Sequence, residues 1–487
     1  MTTNGRSVVF IGAGPAAITV FLRLKPGVEL ESVTFVDPNP VGAGNVFGEL
    51  CADDFEFMCN SSVALTSLRS DDPDDFVRFL REHGWQADRD TQVPRYIVGF
   101  YTVQRAREHA ELLRRSGTAI KHVSARAVEI EAIGDDYSVH LSDGSSVPAT
   151  DIVLAAGLEK PIVPRVLDHL VGDPRYYVTP YPGSKLRELP AGSKILVVGM
   201  KASALDALVA LRNRGHEVAM CSRSGEFASV RDIFRYPPEP ILPHDEFAQL
   251  DLASESILMD VYKLLERAAA SRPDGTRLED QISADGPALA RLREDVALAE
   301  DRKTRWSDMI YESVNILNDL SRRLDWNEHQ ALAGTLRPHT RRYIASIPVE
   351  LGRLLVDGLD SGWVSLVDMP SRVDRTGQGF VATFPDEPAE RHFDYIVSAS
   401  GYHPPRFYDI GGGRLTIDRA PADVEHVIID GDFRVPIAGA PQNRIWAVGP
   451  STGTRVPYAH LVWVAALQAA EIADAIHAAP VGIGAVS

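Results

Sequence analysis

The sequence predicts an α/β chain built on two separate parallel-sheet units, and three observations carry that prediction. Val8-Val9-Phe10-Ile11 runs apolar into Gly12-Ala13-Gly14-Pro15-Ala16-Ala17, and a second strand, Val33-Thr34-Phe35-Val36, then closes on Asp37. Ile195-Leu196-Val197-Val198 runs into Gly199-Met200-Lys201-Ala202-Ser203-Ala204, and Val218-Ala219-Met220-Cys221 then closes on Ser222-Arg223. Two further buried-strand patterns, Asp151–Gly157 and Asp394–Tyr402, each open with Asp and pass through Ala-x-Gly. A short apolar strand, a glycine turn, a helix and a second strand make up the mononucleotide-binding half of a Rossmann-like unit. The expected fold class is therefore α/β with two dinucleotide-binding, Rossmann-like domains.

The first turn has a physical reading residue by residue. Gly12 permits the tight turn, and Gly14 lets the backbone approach a pyrophosphate lying on the helix N-terminus. Pro15 and Ala16 open the helix, and Ala17 allows it to pack closely on the strand. Asp37 stands where a carboxylate accepts hydrogen bonds from ribose hydroxyls. A chain with two such cradles usually holds two nucleotides, and FAD beside NAD(P)H is the common pair.

The second turn departs from the pattern. Lys201 occupies the place of the second glycine, where a Cβ crowds the backbone but the ammonium can itself reach phosphate. Gly199, Ala202 and Ser203 complete this cradle. Its second strand ends in Ser222-Arg223 rather than an acid, and a hydroxyl with a guanidinium suits the 2′-phosphate of NADPH.

Composition narrows the function classes. An apolar fraction of 45% and a charged fraction of 24% are those of a soluble globular protein. At 487 residues the chain exceeds one core, so two or three domains are expected. A net charge of −17 without a basic stripe argues against a nucleic-acid partner. Cys51, Cys59 and Cys221 are too scattered for a disulfide framework and suggest a reducing compartment. No two of them are spaced for dithiol redox chemistry. The apolar run at Val8–Ile11 is read as the first strand and not a signal peptide. No run approaches the roughly 18 apolar residues of a membrane span, so a cytoplasmic protein is expected. No metal site is expected.

Along the chain, Val103, Ala106, Ala110 and Leu113 predict a helix over Thr102–Ser116, stopped by Gly117. Short strands follow over 119–157, with Ser142-Asp143-Gly144 as a hairpin turn. The strands Asp151–Gly157 and Asp394–Tyr402 are read as the paired crossings of a FAD domain interrupted by an NADPH domain. Ala156 and Gly157 on one, and Gly401 and Tyr402 on the other, are then cofactor-binding. The expected boundaries are 1–185 for the first part of the FAD domain, 186–395 for the NADPH domain and 396–487 for the second part of the FAD domain. Helical spacing from Ile257 to Leu265 and thinning glycine place a helical insertion at about 246–347, with its charges on solvated faces. No internal repeat is evident, and Gly411-Gly412-Gly413 reads as a turn. Near the end, Ile445–Val448 runs into Gly449-Pro450, and a long helix is expected from about Pro457 to Ala478. Gly449 and Pro450 should lie against the flavin, with Pro450 standing where many two-dinucleotide flavoproteins carry an acid. The N-terminus of the last helix should then aim at the flavin ring, where its dipole favours the reduced anion.

These motifs, together with Phe57-Met58-Cys59-Asn60, Pro94-Arg95-Tyr96 with Gly99, Ser222-Arg223-Ser224-Gly225 and Ser400-Gly401-Tyr402, give the chain a family resemblance. It resembles the FAD/NAD(P)-binding proteins related to N-hydroxylating flavin monooxygenases, among them enzymes that oxidise the amine of aspartate to nitrosuccinate. The Phe-x-Gly-x-x-x-His fingerprint of Baeyer–Villiger enzymes is absent. The resemblance implies that FAD and NADPH are the cofactors and that a small amine or amino acid and O₂ are the reactants. NADPH would reduce the flavin, O₂ would be captured as a C4a-hydroperoxide, and the amine would attack its distal oxygen. Asn60 and Ser61 are the candidate groups beside the ring. Arg455, Tyr458 and His460 are the candidate substrate groups, Arg455 for a carboxylate. An NAD(P)H-dependent flavin oxidase or reductase remains an alternative, as does a non-catalytic FAD-binding protein. The sequence leaves the amine, the number of oxidations and homo-oligomerisation open.

Overall fold

The structure, a computed structural model, describes residues 5–27, 29–48, 55–237, 239–251, 254–271, 277–385, 389–418, 424–439 and 443–479. Two five-stranded parallel sheets organise the chain. The first runs in the spatial order Ala119–Val123, Leu30–Val36, Arg6–Ile11, Asp151–Leu154 and Ile445–Ala447. The second runs Val364–Leu366, Glu217–Cys221, Lys194–Val198, Tyr395–Ser398 and Tyr176–Tyr177. Val8, Val9, Phe10, Ile195, Leu196 and Val197 are all buried, because helices and loops cover both faces of a parallel sheet. In each sheet the chain leaves the central strand on one side and later returns on the other. That reversal opens a crevice at the carboxyl end of the central strand, where open α/β sheets bind ligands.

The strand at 394–402 falls in a different sheet from the one the sequence reading gave it. Tyr395–Ser398 pairs with Ile195–Val198 in the second sheet and does not re-enter the first. The return to the first sheet is made by Ile445–Ala447, which lies beside Asp151–Leu154. The two Asp-to-Gly patterns look alike because they do the same work in two sheets. A Cβ built on Gly12 would lie 2.4 Å from the carbonyl oxygen of Ala155, and one built on Gly199 would lie 2.4 Å from that of Ala399. At the other end of these strands, Asp151 accepts two hydrogen bonds from Arg6 at 2.9 and 3.0 Å. Asp394 accepts the backbone N–H of Lys194 at 2.8 Å. The chain thus contains a structural repeat that its residue identities conceal.

An antiparallel sheet flanks the first unit, in the order Phe407–Gly411, Arg414–Ile417, Ala127–Ile133, Asp136–Leu141 and Ser146–Ala149. Gly411, Gly412 and Gly413 join its first two strands, and all three have positive φ (80°, 63° and 74°), which explains the glycine run.

Two helix starts differ from expectation. The helix ending at Arg115 begins at Arg95 and not at Thr102, because Pro94 sets the turn and Gly99 sits 2.0 Å, measured from an ideal Cβ, from the carbonyl oxygen of Phe47. The final helix begins at Val462, five residues after Pro457, since Leu461 is extended. Between Cys221 and Val364 lie the helices His244–Ala248, Ile257–Ala270, Ala288–Glu300, Ile310–Arg323, Trp326–His339 and Val349–Asp360. Their charged residues are not all solvated. Glu312 is buried and accepts the backbone N–H groups of Ile241 and Leu242 at 2.7 and 2.8 Å, and buried Asp295 pairs with Arg342 at 3.0 Å. Leu264, Met309 and Val314 from this region share one core with Ala13, Ala17 and Trp463.

Candidate functional site

The first cradle is assembled at the end of the strand Arg6–Ile11. Gly12 has φ +98°, which only glycine adopts freely. Gly14 is the N-cap of the helix Pro15–Phe21, and no side chain caps its first turn. That leaves backbone N–H groups for a ligand's phosphate. Asp37 organises the turn: its Oδ2 accepts the N–H of Ala13 and its Oδ1 that of Asn39, each at 2.8 Å. Each carboxylate oxygen retains a lone pair for a ribose hydroxyl. A second glycine pair, overlooked in the sequence, closes over the turn. Gly42 donates its N–H to the carbonyl of Ala13 at 2.8 Å, and a Cβ on Gly44 (φ +59°) would lie 3.0 Å from Cα of Gly14. The run Gly42-Ala43-Gly44 is the signal that could have found it.

The C-terminal turn meets this cradle. An ideal Cβ on Gly449 would sit 2.7 Å from Cβ of Ala16, so the turn and the first helix pack backbone to side chain. Pro450 follows within a short 3₁₀ turn, and Ser451 donates its hydroxyl to the carbonyl of Ala156 at 3.2 Å. Gly157 is exposed at the same edge. Gly12, Gly14, Gly44 and Gly449 leave a surface on which side chains would intrude, and that surface fits a dinucleotide.

The second cradle repeats the turn. Gly199 has φ +153°, and Lys201 is the N-cap of the helix Ala202–Leu211. The ammonium of Lys201 donates to the backbone carbonyl of Arg341 at 3.0 Å. Burial, with the Arg341 charge beside it, pulls its pKa down. Ala202 and Ser203 are half-buried on the first turn. Ser222 accepts the N–H of Gly225 at 3.1 Å, while Arg223 is exposed and makes no hydrogen bond or ion pair among the described residues. Gly401 (φ +88°) and Tyr402 follow the 395–398 strand, with the Tyr402 hydroxyl 2.6 Å from that of Thr179. Gly401 accepts the N–H of Ile162 at 2.9 Å and Tyr402 pairs with Pro161, so these two residues join the second sheet to the segment that leaves the first cradle.

Between the cradles lies the loop 57–61. It is held against Val93–Arg95 by hydrogen bonds from Cys59 N to the Val93 carbonyl and from Arg95 N to the Phe57 carbonyl, both 2.8 Å. Asn60 donates to the Ser346 carbonyl at 3.0 Å and accepts from Arg231. Ser61 is half-buried, with no side-chain hydrogen bond among the described residues. Of the candidate substrate groups, Arg455 donates to the Arg322 carbonyl at 2.5 Å, and buried Tyr458 donates its N–H to Asn318 at 3.2 Å. Burial pushes the Tyr458 phenol up to about 12. Both residues thus lean on the helical insertion. His460 is exposed, and the protein around it lowers its pKa by desolvation. Cys59 and Cys221 are buried and unbridged, and burial pushes the Cys221 thiol up to about 12. Cys51 lies outside the described residues.

Residues 9–159, which span the first cradle, match the family model described as FAD-NAD(P)-binding. Among solved structures, the chain is similar to the ornithine hydroxylase from Pseudomonas aeruginosa, with 16% identity, 97% of this chain and 98% of that one covered, and a TM-score of 0.58. It is similar to the ornithine N-hydroxylase from Kutzneria sp. 744, at 15% identity, 97% and 99% coverage and a TM-score of 0.61. The L-lysine 6-monooxygenase from Pseudomonas syringae gives 16%, 97% and 99%, and 0.58. The chain shares their fold. No curated protein sequence matches it. No helix among the described residues is long and apolar enough to cross a membrane.

Proposed function

We propose that this protein is a FAD-dependent, NADPH-consuming monooxygenase that N-hydroxylates a small amine or amino acid. The observation that carries the reading is the pair of matched cradles, each with a positive-φ glycine pressed against the carbonyl of an Ala on the neighbouring parallel strand. The solved structures that share the fold include one named with reduced FAD, NADP⁺ and L-ornithine, which supports the same assignment.

Bound FAD supplies the redox chemistry, taking electrons from NADPH and activating O₂. The protein's part is binding, orientation and exclusion of water. Gly12, Gly14, Pro15, Ala16 and Ala17 receive the FAD pyrophosphate, and Asp37 its ribose. Gly199, Ala202 and Ser203 hold NADPH, with Arg223 and Ser222 placed for its 2′-phosphate. Asn60, fixed at both ends of its amide, borders the ring. His460, at the turn before the last helix, is the candidate group to take the proton that an ammonium must lose before it becomes nucleophilic.

The test is NADPH oxidation by the yellow, FAD-loaded protein with and without a panel of small amines and amino acids. Amine-dependent formation of a hydroxylamine or a more oxidised product supports the reading. NADPH oxidation that yields only H₂O₂ for every amine favours the flavin oxidase, and absence of NADPH oxidation favours a non-catalytic flavoprotein.

A further inference from the structure

Lys201 and Arg341 bring two positive charges together on the second cradle. Lys201 is the half-buried N-cap of the helix Ala202–Leu211, and its Nζ donates to the backbone carbonyl of Arg341 at 3.0 Å. The Arg341 guanidinium is exposed and makes no hydrogen bond or ion pair among the described residues. The two charges feel each other, since burial first and the Arg341 charge after it lower the Lys201 pKa. The acid that opposes this, Glu226, is already paired with Arg291. Other arginines of the insertion are matched to acids: Arg267 to Glu246, Arg293 to Asp360, Arg322 to Glu471 and Arg342 to Asp295.

The place of Arg341 is fixed by its surroundings. It lies in a π-helical turn, Thr340–Ile344, a form that recurs at functional sites. Next to it, Arg342 donates to Asp295 at 3.0 Å and to Ser283 at 2.6 Å, and its carbonyl accepts the N–H of Ser229 at 2.9 Å. Ile347–Pro348 then pairs with Val230–Arg231. The turn is thus fastened to the segment that leaves the second sheet. Two like charges held side by side repel, and an anion between them reverses the sign of that interaction. In a dinucleotide turn the second glycine lets pyrophosphate lie against the backbone. Lys201 obstructs that approach, and an ammonium with a guanidinium replaces in side-chain charge what the backbone loses. Arg fits phosphate through its planar fork and Lys as a point charge.

We infer that Lys201 and Arg341 form a pyrophosphate clamp, through which the helical insertion takes part in binding the nicotinamide nucleotide. This rests on the NADPH part of the proposed function, but the binding can be tested without turnover. On binding, the Lys201 ammonium exchanges the Arg341 carbonyl for a phosphate oxygen, and the Arg341 guanidinium closes from the insertion side. Arg341 is exposed and Lys201 only half-buried, so the nucleotide reaches both without opening the core. The clamp takes the pyrophosphate common to NADPH and NADH, which leaves the 2′-phosphate to Arg223.

Calorimetric titration of the FAD-loaded protein with NADP⁺ and with NAD⁺, neither of which reduces the flavin, reads the clamp directly. Arg341→Gln should weaken both nucleotides by about tenfold, and Arg341→Lys should weaken them less. Lys201→Met should weaken both as well, and the variants at exposed Arg341 keep the test decisive if Lys201→Met fails to fold. Arg337→Gln removes another exposed charge one turn earlier and should leave both affinities nearly unchanged. Wild-type affinity in Arg341→Gln, a loss confined to NADP⁺, or an equal loss in Arg337→Gln overturns the clamp and leaves the NADPH reading intact. If wild type binds neither nucleotide, the clamp and that reading fall together. If the variants behave as described but no amine is hydroxylated, the clamp stands and the proposed reaction falls.

Discussion

The guanidinium of Arg95 donates to Oδ2 of Asp206 across 2.8 Å, joining the helix that follows the first cradle to the helix that opens from the second. The Tyr181 hydroxyl donates to the same carboxylate oxygen and accepts from Arg95 at 3.2 Å. Burial opposes the charge on Arg95, but Asp206 more than offsets it and holds the pKa well above the usual arginine range. The three groups are the polar seam between the two nucleotide-binding units. Asp206→Ala leaves a buried guanidinium unpaired and should cost about 3–5 kcal/mol in chemical denaturation. Phe57→Leu, a change in the apolar wall beside the seam, should cost far less. A loss below about 1 kcal/mol for Asp206→Ala would show that the seam is not a structural tie.

The two cradles should be separable. Gly12→Ala places a Cβ 2.4 Å from the Ala155 carbonyl oxygen in a left-handed conformation, at a cost of about 2 kcal/mol or more. The expected result is a protein that does not retain FAD. Gly199→Ala meets the same obstacle at Ala399 and should stay yellow while losing reduction by NADPH. Visible absorbance before and after anaerobic NADPH checks both. Loss of flavin from Gly199→Ala, with flavin retained in Gly12→Ala, would reverse the assignment of the two sites.

Arg223 is exposed and makes no hydrogen bond or ion pair among the described residues, as a residue waiting for a ligand's phosphate would. Arg223→Ala should raise the KM for NADPH by an amount equivalent to roughly 1.5–3 kcal/mol while leaving that for NADH nearly unchanged. Equal effects on both coenzymes would remove Arg223 from 2′-phosphate recognition.

Acid should destabilise the fold through its histidines. Burial lowers the pKa of His109, His216 and His329 below their ordinary value of 6.5. A depressed folded-state pKa means that the unfolded chain takes up the proton first. These residues therefore contribute stability above pH 6.5, and that contribution is lost as pH falls through the folded-state values. Each proton involved changes the slope by about 1.4 kcal/mol per pH unit. His109, whose Nε2 lies 3.0 Å from the Leu24 carbonyl oxygen, is the simplest probe. Denaturation midpoints between pH 7 and 5 should fall less steeply in His109→Gln than in wild type, and an unchanged slope would exclude it.

What the sequence made legible were the places where backbone geometry allows only one kind of residue. Gly12, Gly199 and the Gly411–Gly413 turn all sit at positive φ, and each could be read from the glycine and its flanking apolar run. Strand membership was not legible in the same way. Asp151–Gly157 and Asp394–Tyr402 carry one pattern because each lies against a central strand, and nothing local tells which central strand that is. The start of the last helix was misplaced because Pro457-Tyr458-Ala459-His460 has helix-compatible residues yet forms a turn against Gly449 and the insertion. Arg231 was invisible for another reason. An arginine in a strand is usually solvated, and only the convergence of Asn60, Phe234 and Ser346 reveals one buried without a paired carboxylate among the described residues.

The most direct test of the central claim is a mass balance. NADPH consumed, O₂ consumed, H₂O₂ released and nitrogen-oxidised product should be measured together for the best amine found. The account predicts one NADPH and one O₂ per oxidation step, with most of the electrons recovered in product and little in H₂O₂. Quantitative recovery of the electrons in H₂O₂ with every amine, aspartate included, would contradict it.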